Sequence, residues 1–433
     1  MTQTPSTPDA AASDAPPAPT PPISPSALPS LRRRVRAVLI VTQILGGLGT
    51  AIGFALAAVL ARDVSGTEAL SGLASTASVT GTALLAMPLA SLMASRGRRA
   101  GLVLAYAIGA FGASVVVLGA VMENFPLLLI GLVGFGAGSS ANLAARFAAA
   151  DLAEPDHRAR AISTVVWATT IGAVLGPNVA APAGKSVSGL GIPAAAGPFA
   201  WAAGVFVVAA IVVALLLRPD PLLTARALHD TGSDGVPEGR SLRAGMQAVR
   251  ASSKARLALV TIAGSHTAMV SIMSMTPVAL THHGADIQLI GFVLSGHIAG
   301  MYAFSPLMGW LSDRLGRLSV IGLAVGLIGA AAFVAGTAGP SHGRTALGLF
   351  LLGLGWSAGL VSGSALLTDS VPQAARAAVQ GLSDFVMNTA AGVGGLAAGL
   401  IVSQAGYGPL NAIAACLLLP MAALALWGAL RKA

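Results

Sequence analysis

Two pairs of side chains with soft donor atoms lie in apolar stretches late in the chain. Met269 and Met273 form an M-x-x-x-M pair, and His297 and Met301 form an H-x-x-x-M pair. A spacing of four residues puts both members of a pair on one helix face, one turn apart. Thioether sulfur and imidazole nitrogen suit Cu(I), and they suit Mg²⁺ or Ca²⁺ poorly. The alternative interpretation is that the methionines fill gaps in an apolar core, which is a common use of this residue.

Four ionisable groups, His297 and three others, fall within apolar stretches. His297 needs a reason to be there, because ionisable side chains at membrane depth are costly and are usually functional. His266, one turn before Met269, is a candidate as an extra ligand or a proton carrier, or as a satisfied buried histidine. Asp384 and Arg146 are candidates for proton coupling or for locking a gate, with pairing to a partner as the default.

The elements that must position these side chains are membrane helices. Of the 433 residues 55% are hydrophobic and only 9% are charged, whereas soluble domains carry about 25% charged residues. The apolar runs are continuous rather than alternating, which indicates helices and not a barrel. We therefore predict an all-α membrane protein with twelve transmembrane helices, at about 36–61, 69–94, 101–121, 126–149, 161–182, 197–217, 256–280, 288–311, 319–338, 345–368, 379–404 and 408–430.

The net charge of +9 is a topology signal and does not indicate nucleic-acid binding. The basic residues are concentrated in short loops on one side of the predicted spans, and such loops lie in the cytoplasm. We expect a multi-pass protein of the cytoplasmic (inner) membrane, with both termini cytoplasmic, lipid as its surroundings and no nucleic-acid partner. The only cysteine, Cys416, excludes a disulfide within the chain and a cysteine metal cage.

The predicted spans divide into two halves. Residues 1–33 are rich in Pro, Ala, Ser and Thr, and we expect a disordered cytoplasmic N-terminal tail. The tail is followed by an N-terminal six-helix half at 34–218, a polar cytoplasmic linker at 219–255 and a C-terminal six-helix half at 256–433.

An internal repeat supports this division. Ala90–Arg99 reads ASLMASRGRR and Gly309–Leu318 reads GWLSDRLGRL, 219 residues later. The loops that begin at Asp151 and Asp369 also resemble each other, 218 residues apart. Duplicated six-helix units are the architecture of many secondary transporters, which bind substrate near the bilayer midplane. Both Met/His pairs fall near that depth, and the repeat-related positions of the first half carry no soft donor.

The second copy of this loop, from Gly309 to Arg317, resembles the signature loop of the major facilitator superfamily, G-x-x-x-D-R-x-G-R. Gly309 and Gly316 provide the backbone freedom of a tight turn. Asp313 can cap a neighbouring helix, and Arg314 and Arg317 can pair with carboxylates across the bundle. We expect these five residues to form a gating lock at the cytoplasmic side.

The first-half copy of the loop is degenerate, because Ala94 and Ser95 stand where the signature has Asp and Arg. We therefore expect a weaker lock there. The segment Gly172-Ala-Val-Leu-Gly176-Pro in the fifth span resembles the G-x-x-x-G-P motif of the same superfamily, whose small residues allow close helix packing.

Within that superfamily the chain resembles the CcoA-type copper importers. Their M-x-x-x-M motif in the seventh helix and H-x-x-x-M motif in the eighth match Met269, Met273, His297 and Met301. The resemblance implies alternating-access import of copper, which would be a transported substrate and not a resident cofactor. It makes a cytoplasmic copper chaperone a candidate partner, and we expect a monomer. Characterised members also carry redox cysteines, and the presence of Cys416 alone argues against a thiol-dependent step.

Two other classes of function remain open. A carrier of a small organic solute, riboflavin-like, or of drugs would have the same fold, with the methionines as apolar lining. A membrane sensor is disfavoured because we find no soluble signalling domain. We do not expect an enzyme, since no nucleophile–base constellation and no phosphate-binding loop motif is evident.

Overall fold

The computed structural model describes residues 27–67, 70, 72–229, 242–285 and 287–423, and throughout these ranges its regular structure is helical. Most of the predicted tail and part of the linker lie outside the described residues. The helices are α1 (Leu28–Ser65), α2 (Gly72–Arg96), α3 (Arg98–Val121), α4 (Phe125–Asp151), α5 (Arg158–Val187), α6 (Gly197–Leu216), α7 (Pro221–His229), α8 (Leu242–Ala251), α9 (Ser253–His282), α10 (Ile287–Tyr302), α11 (Ser305–Leu315), α12 (Arg317–Gly336), α13 (His342–Asp369), α14 (Arg376–Ala405) and α15 (Tyr407–Cys416).

Within the described residues, ten helical segments are long and apolar enough to cross a membrane. One of them, Leu73–Val121, contains the second and third predicted spans. A shorter apolar helix, Tyr407–Ala423, occupies the start of the twelfth, and the rest of that span lies beyond the described residues. The predicted all-α membrane fold is thus confirmed.

Two helix boundaries differ from the sequence-based expectation. α1 begins at Leu28, so residues 28–33, which we assigned to the tail, are helical, and Pro29 lies in the first turn where proline is tolerated. The predicted eighth span is broken into α10 and α11 around Phe304. Pro306 explains the break, because proline has no N–H to donate and disfavours helical backbone in the preceding residue.

The bundle has two main apolar cores, one within the first half and one that is centred on the second half and also includes residues of α4 and α5. In the first half, Phe135 packs edge to face on Phe199, with ring centroids 5.4 Å apart, and also contacts Phe206. The predicted close packing of α5 is present, since a Cβ at Gly172 would overlap the backbone of α1. In the second half, α13 is the central helix and packs against α9, α10 and α12.

The turns at residues 97, 152–157, 316 and 370–375 and the linker lie at one end of the bundle, which we call the basic end. The linker is anchored here, because Asp220 accepts a hydrogen bond from the backbone N–H of Arg99 at 2.7 Å. Gly245 of α8 lies against Ala378 of α14.

Candidate substrate site and gate

His297 of α10 is fully buried, and its two ring nitrogens have different surroundings. Nδ1 lies 2.8 Å from the carbonyl oxygen of Leu349 on α13. A carbonyl only accepts, so Nδ1 carries the proton and Nε2 of the neutral ring presents a lone pair. Nε2 is buried and has no hydrogen-bond partner among the described residues. An imidazole held by one nitrogen on a backbone carbonyl, with the other nitrogen free, is the usual arrangement of a metal-ligating histidine.

Met301 lies one turn further along α10 and is 6% exposed. Beside this pair the backbones of α10 and α13 are in close contact. A Cβ at Gly353 of α13 would overlap the carbonyl oxygen of His297, and one at Gly300 would lie 2.7 Å from the carbonyl oxygen of Phe350. The two glycines therefore permit the approach that brings Leu349 to His297.

Met269 and Met273 lie on α9. Met269 is buried in the second-half core, and Met273 is partly buried against it. α13 packs extensively against both α9 and α10, whereas α9 and α10 touch each other little. The structure thus places the two Met/His pairs on helices that share few contacts with each other and that both pack against α13.

His266, the fifth candidate ligand, is in a different state from His297. Its Nδ1 accepts a hydrogen bond from the indole Nε1–H of Trp356 at 2.9 Å. The neutral ring then carries its proton on Nε2, so no lone pair is available to a metal unless Trp356 moves away. Trp356 also packs edge to face on Tyr302, with ring centroids 5.5 Å apart. We did not identify this aromatic cluster from the sequence, although a Trp and a Tyr inside predicted spans were the available signal.

Arg146 and Asp384, the two charges at membrane depth, are paired with each other. Arg146 Nη2 lies 2.6 Å from Asp384 Oδ1, and both side chains are buried. Arg146 Nε also donates to Ser364 Oγ at 3.2 Å. The guanidinium lies 4.5 Å from the ring centroid of Phe147. This pair joins α4 of the first half to α14 of the second.

The loop with the superfamily signature connects the second half to the first. Asp313 accepts hydrogen bonds from the backbone N–H groups of Ala159 at 3.2 Å and Arg160 at 2.9 Å, and so caps the start of α5. Arg317 donates to Asp313 at 2.6 Å and to the carbonyl oxygen of Pro155 at 2.6 Å. It also pairs with Asp369 at 3.3 Å.

The remaining loop residues have separate roles. A Cβ at Gly309 would overlap the Ser163 hydroxyl of α5, so this glycine allows α11 and α5 to touch. Gly316 has a φ of 91°, which favours glycine. Arg314 makes no cross-bundle ion pair among the described residues and instead lies 5.1 Å from the ring centroid of Trp310.

The first-half copy retains the arginine pair and lacks the helix cap. Arg98 stands at the repeat position of Arg317 and pairs with Asp151 at 2.7 Å, with both side chains buried. It also donates to Gln380 of α14, a contact that the sequence did not indicate. Ala94 stands at the position of Asp313 and packs against Ala377 in an apolar cluster. The inter-half hydrogen bonds and ion pairs described here lie toward the basic end, so the bundle is closed there.

Comparison with known proteins adds to this geometry. The family model described as Major Facilitator Superfamily matches residues 38–283 and 257–433. The uncharacterized MFS-type transporter YdeG of Bacillus subtilis (strain 168) is 36% identical over 93% of this chain and 94% of its own length. The riboflavin transporter RfnT of Brucella anthropi is 29% identical over 88% of this chain and 92% of its own length.

Solved structures agree with the fold. The transporter FucP in the outward conformation has a TM-score of 0.72 at 17% identity, over 90% of this chain and 98% of FucP. A bacterial homologue of the iron transporter ferroportin in its outward-facing state has a TM-score of 0.69 at 15% identity, over 90% of this chain and 98% of that one. At these identities the likeness concerns the fold alone.

Proposed function

The chain belongs to the major facilitator superfamily and is a multi-pass membrane transporter, and from this premise we propose that its cargo is copper, carried into the cytoplasm by alternating access. Copper here is a substrate, and the fold operates without a resident cofactor. The sidedness follows from the positive-inside rule, which puts the basic end in the cytoplasm. The inward direction follows from the resemblance to copper importers.

The observation that carries the copper proposal is the state of His297. Its Nδ1–H donates a hydrogen bond to the Leu349 carbonyl oxygen, and its buried Nε2 lone pair has no partner among the described residues. Desolvating such a nitrogen is unfavourable unless it gains a ligand. The Met301 thioether, one turn away on the same face, supplies a second soft donor suited to Cu(I).

Met269 and Met273 form a second pair on α9, and in our proposal the two pairs are separate stations and not one four-ligand sphere. In our proposal copper exchanges between the α10 pair and the α9 pair during transport. Few ligands at each station keep binding weak enough for release. Closure at the basic end corresponds to an outward-facing transporter, which receives cargo from the opposite side. A cytoplasmic copper chaperone is the acceptor we expect after the basic end opens.

The test combines binding and uptake. Cu(I) affinity of the purified protein is measured by competition with a chromogenic chelator, and uptake is followed with radiolabelled copper in cells. We expect His297→Ala to weaken binding at least about tenfold, since even residues that only orient a ligand contribute 10–100-fold. His282→Ala is the matched control, because His282 is exposed at the last residue of α9. Unchanged affinity and uptake in His297→Ala would overturn the copper assignment.

A second candidate cargo is a small aromatic solute. The cluster of His266, Trp356 and Tyr302 offers ring faces and a polar edge for stacking with a planar ring. The relative named as a riboflavin transporter supports this alternative. Riboflavin uptake that is lost in Trp356→Leu and retained in Trp167→Leu, whose indole is 38% exposed, would favour it. Absence of riboflavin uptake by the unmodified protein would exclude that solute.

A further inference from the structure

A cavity, which we call the arginine pocket, lies at the basic end of the first half. It has a volume of about 250 Å³ and lies between the start of α1 and the turn that joins α4 to α5. Its polar lining consists of Arg32, Arg33, Arg36, Glu154, His157 and Arg160. The pocket is separate from the Met/His pairs, and it borders the gate at Arg160, whose backbone N–H donates to Asp313.

The arginine pocket carries an excess of positive charge. Its one carboxylate, Glu154, is already engaged by Arg32 and lies 3.5 Å from the His157 ring. The side chains of Arg33, Arg36 and Arg160 have no carboxylate partner among the described residues. Arg32 also has a buried Nε with no hydrogen-bond partner in the part of the chain that the structure describes. Several guanidinium groups around one cavity form a site for a phosphate-like anion.

The position of the pocket distinguishes between sources of such an anion. Its remaining lining is apolar and consists of Val35, Ala149, Leu152, Ala153 and Ala161. The apolar stretch of α1 begins directly after Arg36, and Val41, little more than one turn further along, is 46% exposed. An exposed apolar side chain on a membrane-spanning helix is suited to contact with lipid. The arginines therefore lie at the depth of the lipid headgroups, with apolar surface on the membrane side.

We propose that the arginine pocket binds the phosphate headgroup of an anionic phospholipid in the leaflet that meets the basic end. Clusters of Lys and Arg at the cytoplasmic ends of membrane helices attract anionic lipids in this way. A soluble phosphate would bind the same guanidinium groups but would make no use of the apolar lining. We therefore propose the lipid as the occupant. The proposal is independent of the transported cargo.

Native mass spectrometry of the full chain in detergent, titrated with short-chain phosphatidylglycerol, tests this site. In Arg33→Gln/Arg36→Gln we expect binding to weaken about tenfold or more, because each basic residue near a membrane surface adds to the attraction for anionic lipid. Arg243→Gln/Arg250→Gln on α8 removes the same charge from an exposed surface outside the pocket and should bind as the unmodified protein does. Arg33→Lys/Arg36→Lys should retain most of the binding, which separates loss of charge from misfolding.

Three results would overturn the proposal. The first is equal phosphatidylglycerol affinity in the pocket variant and the unmodified protein. The second is an equal loss in the α8 control, which would indicate general attraction to net charge. The third comes from a competition experiment with inorganic phosphate. If phosphate binds as tightly as the lipid and displaces it, the pocket is a site for a soluble anion.

Discussion

Arg146 of α4 and Asp384 of α14 form an ion pair, 2.6 Å between Nη2 and Oδ1, that joins the two halves inside the bundle. If the basic end opens by moving one half against the other, these charges must separate. Each would then be a buried charge without its partner, which is unfavourable by several kcal/mol. A proton on Asp384 would remove one of the charges, so the pair is well placed to couple proton movement to opening.

The first prediction concerns coupling. In Asp384→Asn, whose side chain imitates the protonated acid, we expect gradient-driven uptake to be lost while exchange of labelled for unlabelled cargo continues. The measurement is uptake and counterflow in proteoliposomes. Asp63→Asn is the control for an exposed acid and should leave both processes intact. Two outcomes would contradict the coupling role: a folded Asp384→Asn protein that loses both exchange and uptake, or one that retains both.

The second prediction concerns stability. Asp384→Met alone leaves the Arg146 guanidinium buried and unpaired, and should lower the free energy of unfolding by about 3 kcal/mol or more. Arg146→Met/Asp384→Met replaces both charges with apolar groups and should recover most of that loss. Denaturant unfolding of the single and double variants measures the coupling between the two sites. A double variant as unstable as the sum of the single changes would show that the charges do not act as a pair.

The third prediction concerns the orientation of His297. A methyl group at Gly353 would overlap the His297 carbonyl oxygen, so Gly353→Ala should move α10 away from α13 and weaken the hydrogen bond to Leu349. Loss of such an orienting contact typically costs 10–100-fold in metal affinity. We therefore expect about tenfold weaker Cu(I) binding with all four Met/His residues still present.

Gly291→Ala is the matched control for Gly353→Ala. A Cβ at Gly291, on the same helix as His297, would meet no atom within 4 Å. Its Cu(I) affinity should equal that of the unmodified protein. Equal affinity in Gly353→Ala as well would mean that the hydrogen bond to Leu349 does not orient a metal ligand.

The sequence predicted the membrane helices because apolar length is a local property of the chain. The signature loop led us to expect a helix cap by Asp313 and a carboxylate partner for Arg317, and the structure contains both contacts, although the carboxylates that Arg317 meets, Asp313 and Asp369, belong to its own half. The gating role of these residues stays a prediction. For Arg146 and Asp384 we expected that each charge would have a partner, but not that they would pair with each other. The two residues are 238 positions apart in the chain, and local sequence patterns do not show such a contact.

The arrangement of the candidate ligands could not be read from spacing. Spacing gives the face of one helix, and it put Met269 and His297 at one depth. Whether two consecutive helices touch depends on how the other helices pack, and here α9 and α10 both pack against α13 and have few contacts with each other. The same limit applies to His266, whose hydrogen bond from Trp356 joins residues 90 positions apart.

The last prediction uses the difference between the two gate loops. Asp313 caps α5 at Ala159 and Arg160, whereas Ala94, at the repeat position, only packs against Ala377 at the start of α14. Ala94→Asp should supply the missing cap, because its carboxylate would face the first N–H groups of α14. A helix cap contributes about 1 kcal/mol, and a carboxylate there also interacts favourably with the helix dipole.

This added cap would stabilise the arrangement closed at the basic end and slow its opening. We expect Ala94→Asp to raise the unfolding temperature and to lower the maximal uptake rate by about fivefold, the rate equivalent of about 1 kcal/mol. Asp313→Ala should have the opposite effect on stability, and Ala94→Leu, which enlarges the side chain without an acceptor, controls for size. Faster uptake in Ala94→Asp, or a stability equal to that of Ala94→Leu, would show that the start of α14 does not limit opening.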